Sequence, residues 1–272
     1  MPDWISAIIL GVVEGLTEFL PISSTGHVRV IPALAGWPDP GASFSAVIQL
    51  GTMAAVLLYF RRDVVLITSA WVRGLFNAEV RRTRDSIMGW YIALGTVPVV
   101  IFGYAFRDQI HNGARSLMIV AFALVIGGVI MLAVDRVSTR QRTIESVGVK
   151  DAIVVGLCQA LALIPGTSRS GATIVGGLVL GFDRETAARF SFLLSIPAVV
   201  LSGLFELRDV GGGDGTPILA TIIATIFAFI SGYASIAFLL RYLARHTLTV
   251  FGVYRIIFGL LIFGLVLTDS IT

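Results

Sequence analysis

Charge is what this sequence has least of. Only 14% of its 272 residues are Asp, Glu, Lys or Arg, against about a quarter in a soluble domain. A water-facing surface cannot be built from so few. Cysteine is nearly absent too: Cys158 is the single one, which excludes an internal disulfide and a thiolate metal cluster and leaves it a space-filling role in a helix. Basic charge is not concentrated. A net +3, dispersed along the chain, argues against nucleic-acid binding. No Lys or Arg precedes the apolar stretch that starts at Trp4, where a cleavable signal peptide needs a basic segment. Residues 4–20 are therefore expected in the mature fold, and the chain leaves no room for a soluble domain.

What is present is apolar, 56% of the residues, and arranged in blocks of the length that crosses about 30 Å of hydrocarbon as a helix. The blocks are 43–60, 87–106, 115–134, 186–206, 216–240 and 249–268. Two further apolar stretches, 4–35 and 151–181, are interrupted by Pro21-Ile22-Ser23-Ser24-Thr25-Gly26 and by Pro165-Gly166-Thr167-Ser168-Arg169-Ser170-Gly171. Proline breaks a helix, and irregular backbone at membrane depth must be buried in protein or line a wet cavity. Both stretches are read as re-entrant hairpins.

The basic residues test that reading. With the N-terminus outside, one side of the membrane receives Arg61, Arg62, Arg73, Arg81, Arg82, Arg84, Arg136, Arg140, Arg142, Lys150, Arg184, Arg189, Arg241 and Arg245. The other receives Arg29, Arg107, Arg115 and Arg208. Fourteen against four is the bias of a cytoplasmic face. If either broken stretch spanned fully, the parity would flip and the bias would scramble. Arg169 and Arg255 remain at membrane depth.

The halves also match in order. Gly11-Val12-Val13-Glu14 pairs with Gly156-Leu157-Cys158-Gln159, Ser23-Ser24-Thr25-Gly26 with Ser168-Arg169-Ser170-Gly171, and Phe44-Ser45 with Phe190-Ser191. Arg169 is read as the one change, at the place of Thr25. The expected fold is all-α and polytopic, with six transmembrane helices plus two re-entrant helical hairpins in an inverted-topology repeat. It forms one membrane domain over 1–272, with repeat 1 about 1–140 and repeat 2 about 150–272. Such repeats hold their site at the midplane, where broken helices meet.

Chemistry gathers at the breaks. Glu14 and Glu18 lie one helical turn apart on one face, and a carboxylate in hydrocarbon is by default functional. Ser23, Ser24 and Thr25 exceed what a helix cap needs. The following helix aims its free N–H groups at the break, an anion site, where Gly26 allows close approach. His27 follows within a turn. At the second break Arg169 carries a planar fork suited to phosphate oxygens. Together these make an oxyanion site with a candidate nucleophile and acid–base groups. Glu206 and Arg255 are read as structural charges of the second half, because charges at membrane depth tend to pair.

Glu14-Gly15-Leu16-Thr17-Glu18-Phe19-Leu20-Pro21-Ile22-Ser23-Ser24-Thr25-Gly26-His27 resembles the first signature of the bacterial undecaprenyl-diphosphate phosphatases. Pro165-Gly166-Thr167-Ser168-Arg169-Ser170-Gly171-Ala172-Thr173 resembles their second. The likeness extends to Val47-Ile48-Gln49-Leu50-Gly51 and Phe190-Ser191-Phe192, so it covers essentially the whole chain. It implies hydrolysis of undecaprenyl diphosphate to the monophosphate, which recycles the lipid carrier for peptidoglycan and other cell-wall glycans. It also implies a multi-pass protein of the bacterial cytoplasmic (inner) membrane with an outward-facing site, a divalent cation, and a part in bacitracin resistance. It suggests a homodimer.

On that reading Ser24 is the preferred nucleophile, with His27 as its base or as acid to the leaving group; direct attack by His27 or by water stays open. Arg169 clamps the phosphate. Ser23, Thr25, Gly26, Ser168, Ser170, Thr173 and Gln49 bind substrate. Glu14 and Glu18 hold Mg²⁺ or Ca²⁺, or Glu18 donates a proton with no metal ligated. The rival function is a transporter or flippase for a phosphorylated lipid or other anion, since broken helices in inverted repeats are common there. Binding alone, however, does not need a hydroxyl beside an imidazole.

Overall fold

Where the sequence places proline among small polar residues, one helix ends and another begins. α1 (Trp4–Phe19) stops before Pro21, and α2 (Ser24–Ala35) starts three residues beyond it. α8 (Val149–Ala160) tightens into a 3-10 turn at Leu161–Leu163 before Pro165, and α9 (Arg169–Val179) follows. The remaining helices are α3 (Gly41–Tyr59), α4 (Arg61–Phe76), α5 (Ala78–Arg81), α6 (Arg84–Ala105), α7 (Leu117–Val137), α10 (Arg184–Glu206), α11 (Ile218–Leu243) and α12 (Thr249–Leu267). This computed structural model describes residues 4–38, 41–107, 109, 116–206, 218–268 and 270–271, without the side chains of 42, 43, 46 and 202–206. Arg115, Arg208 and the Glu206 side chain thus lie outside the described residues. Among those described there is no strand, only one isolated bridge between Arg142 and Phe182.

Each of the six apolar blocks is a helix: α3, α6, α7, α10, α11 and α12. Among the described residues, α6, α7, α11 and α12 are each long and apolar enough to cross a membrane. Their outer faces are oily. Ile126 and Ile130 on α7, Ile222, Ile226 and Ile230 on α11, and Ile257, Leu260 and Leu261 on α12 are all exposed. Apolar surface on that scale is not tolerated in water. The chain is a multi-pass membrane protein.

The broken helices are held from outside by long ones. α1 lies along α11, which also packs on α3; α8 lies along α6, which also packs on α10. Both contacts need glycine. A Cβ at Gly11 would sit 2.2 Å from the Ala224 carbonyl oxygen, and one at Gly156 would sit 2.3 Å from that of Gly95. Backbones in lipid associate through such small-residue contacts. α7 and α12 pair, and α3 packs on α10 near the middle.

One end of the molecule is fastened by ion pairs. Arg189 meets Asp63 at 2.7 Å, and Arg184 meets Asp135 at 2.6 Å. Asp135 also accepts the Leu248 N–H. Arg142 binds both oxygens of Asp151 near the start of α8 (2.8 and 2.6 Å) and the Leu180 carbonyl just past the end of α9 (3.0 Å). The carboxylate raises the Arg142 pKa above its ordinary value. A single side chain thus ties the entry and the exit of the second broken stretch. The segment 61–83, expected as loop, instead forms α4, which packs on α6, and the short α5.

Candidate active site

Each break carries the same local device. Ser23 has φ 75° and its hydroxyl accepts the Gly26 N–H; Ser168 has φ 68° and accepts the Gly171 N–H at 3.1 Å. A serine in this left-handed region is uncommon and is sustained only by its surroundings. The turn places the N-termini of α2 and α9 at the two breaks. The shared cap also corrects one pairing: with Ser23 and Ser168 equivalent, Arg169 stands in the place of Ser24 and Ser170 in that of Thr25.

The two turns touch. Arg169 Nη2 makes an ion pair with Glu18 Oε1. The Ser170 hydroxyl lies 3.2 Å from the carbonyls of both Glu18 and Leu20. Behind them sits Arg255, 1% exposed. Its guanidinium donates to the carbonyls of Pro21 (3.4 Å), Gly166 (3.2 Å), Thr167 (2.8 Å) and Ala123 (3.1 Å), and its Nε to that of Leu124 (3.4 Å). One buried cation therefore holds both breaks to each other and to α7. Its bonds among the described residues run to backbone carbonyls, so Arg255 is structural, as expected, but without the acidic partner that membrane-depth charges usually take.

Between the turns lies a polar cavity of about 170 Å³. Its walls include Glu18, Ser23, Ser24, Thr25, Gln49, Ser168 and Arg169, all expected at the site, together with Gln159 and the Gly166 backbone. Glu18 is the hub. Its Oε2 accepts the Ser24 hydroxyl at 2.5 Å while its Oε1 holds Arg169. Glu14 is buried one turn back, facing Glu18. Its Oε1 has no hydrogen-bond partner among the described residues. Beside the polar cavity, and sharing Leu163 and Ile164 with it, runs an apolar groove of about 800 Å³ walled by Phe102, Phe106, Leu157, Leu161 and Pro165.

Five expected site residues are used differently. His27 does not line the cavity. Its Nδ1–H donates to the Ser23 carbonyl at 2.7 Å, its Nε2 accepts from the Tyr254 hydroxyl at 2.7 Å, and its ring stacks on Phe258 at 4.3 Å. Ser24, expected to bond His27, bonds Glu18. Gly26 makes its close approach to Val120 of α7, where a Cβ would lie 3.3 Å from that side chain. Thr173 turns away to Ser191 of α10 at 2.5 Å and to the Arg169 carbonyl at 2.7 Å. Ser170 spends its hydroxyl joining the turns. The partners Tyr254 and Ser191 and the wall residue Gln159 were not picked out in advance. For Gln159 a signal existed, since it pairs with Glu14 in the matched halves.

The model of a protein family described as bacitracin resistance protein BacA matches residues 7–261. An undecaprenyl-diphosphatase of Thermobifida fusca (strain YX) is 50% identical over 96% of this chain and 90% of its own length. One from Nocardioides sp. (strain ATCC BAA-499 / JS614) is 48% identical over 100% and 99%. Another, from Chlorobium limicola (strain DSM 245 / NBRC 103803 / 6330), is 51% identical over 93% of each.

Proposed function

Since the chain belongs to the bacitracin resistance protein BacA family, we infer that it is an integral membrane phosphatase. It hydrolyses undecaprenyl diphosphate to undecaprenyl phosphate and inorganic phosphate, and so returns the lipid carrier to cell-wall synthesis. One observation carries this reading: Ser24, Glu18 and Arg169 are bonded in series inside one cavity. That supplies a hydroxyl, a base and a phosphate clamp, beside a groove apolar enough for an isoprenoid chain.

In the proposed sequence the terminal phosphate takes Arg169 and the N–H groups of the α2 and α9 turns. Ser24 Oγ attacks its phosphorus in line and passes its proton to Glu18. The bond to the bridging oxygen breaks, and undecaprenyl phosphate leaves with the electron pair. Glu18 passes its proton to the departing undecaprenyl phosphate; water then attacks the phosphoserine, Glu18 takes a proton from it and returns that proton to Ser24 Oγ as phosphate is released. Arg169 is worth most as charge spreads over the equatorial oxygens. His27 serves by fixing the Ser23 carbonyl, and with it the Ser24 turn.

The side chains fit a divalent cation in a limited way. Among the described residues no three His, Cys, Asp or Glu side chains converge, and both Glu18 oxygens are engaged. Glu14 Oε1 has no hydrogen-bond partner among the described residues. Magnesium commonly takes one or two carboxylates and completes its shell with substrate phosphate and water. Glu14 and Glu18 would hold Mg²⁺ or Ca²⁺ together with the diphosphate, and the ion would neutralise charge on it. Glu14→Gln should raise the cation concentration needed for half-maximal rate; an unchanged requirement would place the ion elsewhere.

The reading includes six spans and two re-entrant hairpins in an inverted repeat, in the bacterial inner membrane, with the site facing outward. Supporting it are the paired packing of α1 on α11 and α8 on α6, the twin serine caps, and Arg142 at both ends of the α8–α9 stretch. A homodimer belongs to the proposal as well, to be checked by the mass of the detergent-solubilised protein.

The deciding measurement is phosphate release from a polyprenyl diphosphate by purified protein. Wild type should turn over; Arg169→Ala should be nearly inactive, and Arg169→Lys, which keeps the charge and loses the fork, strongly impaired, with kcat falling as well as KM rising. Both must remain monodisperse. A wild type that binds the lipid and releases no phosphate would favour the transporter reading.

A further inference from the structure

Gln159 stands at the last turn of α8, 0% exposed, in the wall of the polar cavity. Neither its Nε2 nor its Oε1 has a hydrogen-bond partner among the described residues. A buried amide without partners is costly, and native proteins seldom leave one. If Gln159 served packing alone, a leucine or methionine of like volume would do the same work without that penalty. The same cavity is lined by Arg169, Ser24 and Thr25. The lining also includes the apolar Val99, Ala162 and Leu163. Among the described residues no group takes up the amide, so it is kept for whatever enters the cavity. Its position matches that of Glu14 in the first half, where a carboxylate oxygen is left equally unpartnered. On the Gln159 side a neutral donor replaces the acid, which suits a wall that must face an anion.

We propose that Gln159 is a further substrate-binding residue, donating its Nε2–H to a non-bridging oxygen of the diphosphate opposite the Arg169 clamp, while its Oε1 accepts from a water or hydroxyl of the bound state. The proposal rests on the phosphatase reading of this cavity. It assigns the two faces of the phosphate different donors: a cation from α9 and a neutral amide from α8.

The test compares Gln159→Leu and Gln159→Glu with wild type, using phosphate release from a polyprenyl diphosphate and thermal unfolding in the same detergent. Removing two unpartnered polar atoms should leave the Gln159→Leu melting temperature equal or higher. Its KM should rise about tenfold to a hundredfold, the value of a hydrogen bond to a charged group, with a smaller fall in kcat. Gln159→Glu sets a negative charge against the substrate and should raise KM further. A purely structural glutamine predicts the reverse, lower stability with an unchanged KM. Wild-type KM in Gln159→Leu overturns the proposal, and so does a marked loss of its stability, because the amide would then have a partner in the protein. Failure of wild type itself to release phosphate would instead overturn the phosphatase reading.

Discussion

At the scale of single residues, the groups that line the cavity differ from the groups that hold them in place. Glu18 is committed twice, to Ser24 and to Arg169. His27 is committed elsewhere. With Nδ1 on the Ser23 carbonyl and Nε2 on Tyr254, it has no ring nitrogen for Ser24. If it acts through the turn, Tyr254→Phe should lower kcat about threefold to thirtyfold by freeing the ring, a loss of one buried hydrogen bond. His27→Asn, which can still donate to Ser23, should retain more activity than His27→Ala. Equal inactivity of Asn and Ala variants, with Tyr254→Phe at the wild-type rate, would restore His27 as the acid–base group. Phosphate release with purified variants is the measurement.

Among the elements, the two broken helices depend on Arg255 more than on their own sequence. The pocket for its guanidinium is cut from glycine: a Cβ at Gly171 would come within 2.6 Å of Nη1, and one at Gly127 within 2.2 Å of Nη2. The side chain is flexible, yet its bonds to five carbonyls leave it nowhere to retreat. Gly171→Ala should therefore lower stability by about 2 kcal/mol, within the range of buried steric errors, and reduce turnover by an order of magnitude or more. Gly264→Ala, where nothing lies within 4 Å, should change neither. Melting temperature and rate, measured together, decide it. These same elements show what could be read from sequence. The six apolar helices and both breaks were legible because hydrocarbon imposes a length and proline a stop. α4 was not, because Arg61, Arg62, Asp63 and Arg73 hide its apolar stripe from any window long enough to find a span. Glu18, Ser24 and Arg169 were legible because charge and hydroxyls are conspicuous among leucines. The His27–Tyr254 bond joins residues 227 apart in sequence, and no local pattern announces a contact made only by folding.

For the whole molecule, the distribution of charge supports the proposed orientation. Arg142, Arg184 and Arg189 gather at the ion-paired end, while Thr25 is an exposed residue of the cavity wall. In a Cys158→Ala background, Thr25→Cys should react with a membrane-impermeant thiol reagent added to intact cells. Arg245→Cys, exposed beyond the end of α11, should react only after the cells are opened. The opposite pattern would invert the topology.

The ion pair at the centre also has a consequence for how the protein is made. Its partners are 151 residues apart, so during synthesis α1 reaches the membrane with Glu14 and Glu18 while the arginine that will meet them is still unborn. Two carboxylates without a counter-ion are poorly tolerated in hydrocarbon. The first hairpin must therefore wait at the water interface, or enter with its acids protonated, until α9 arrives. Assembly is then late and cooperative, and the catalytic centre is the last thing the chain completes. A gene cut after Thr139 should yield two inert fragments that regain phosphatase activity when coexpressed. If the first fragment alone hydrolysed the lipid, the nascent chain would have no such wait.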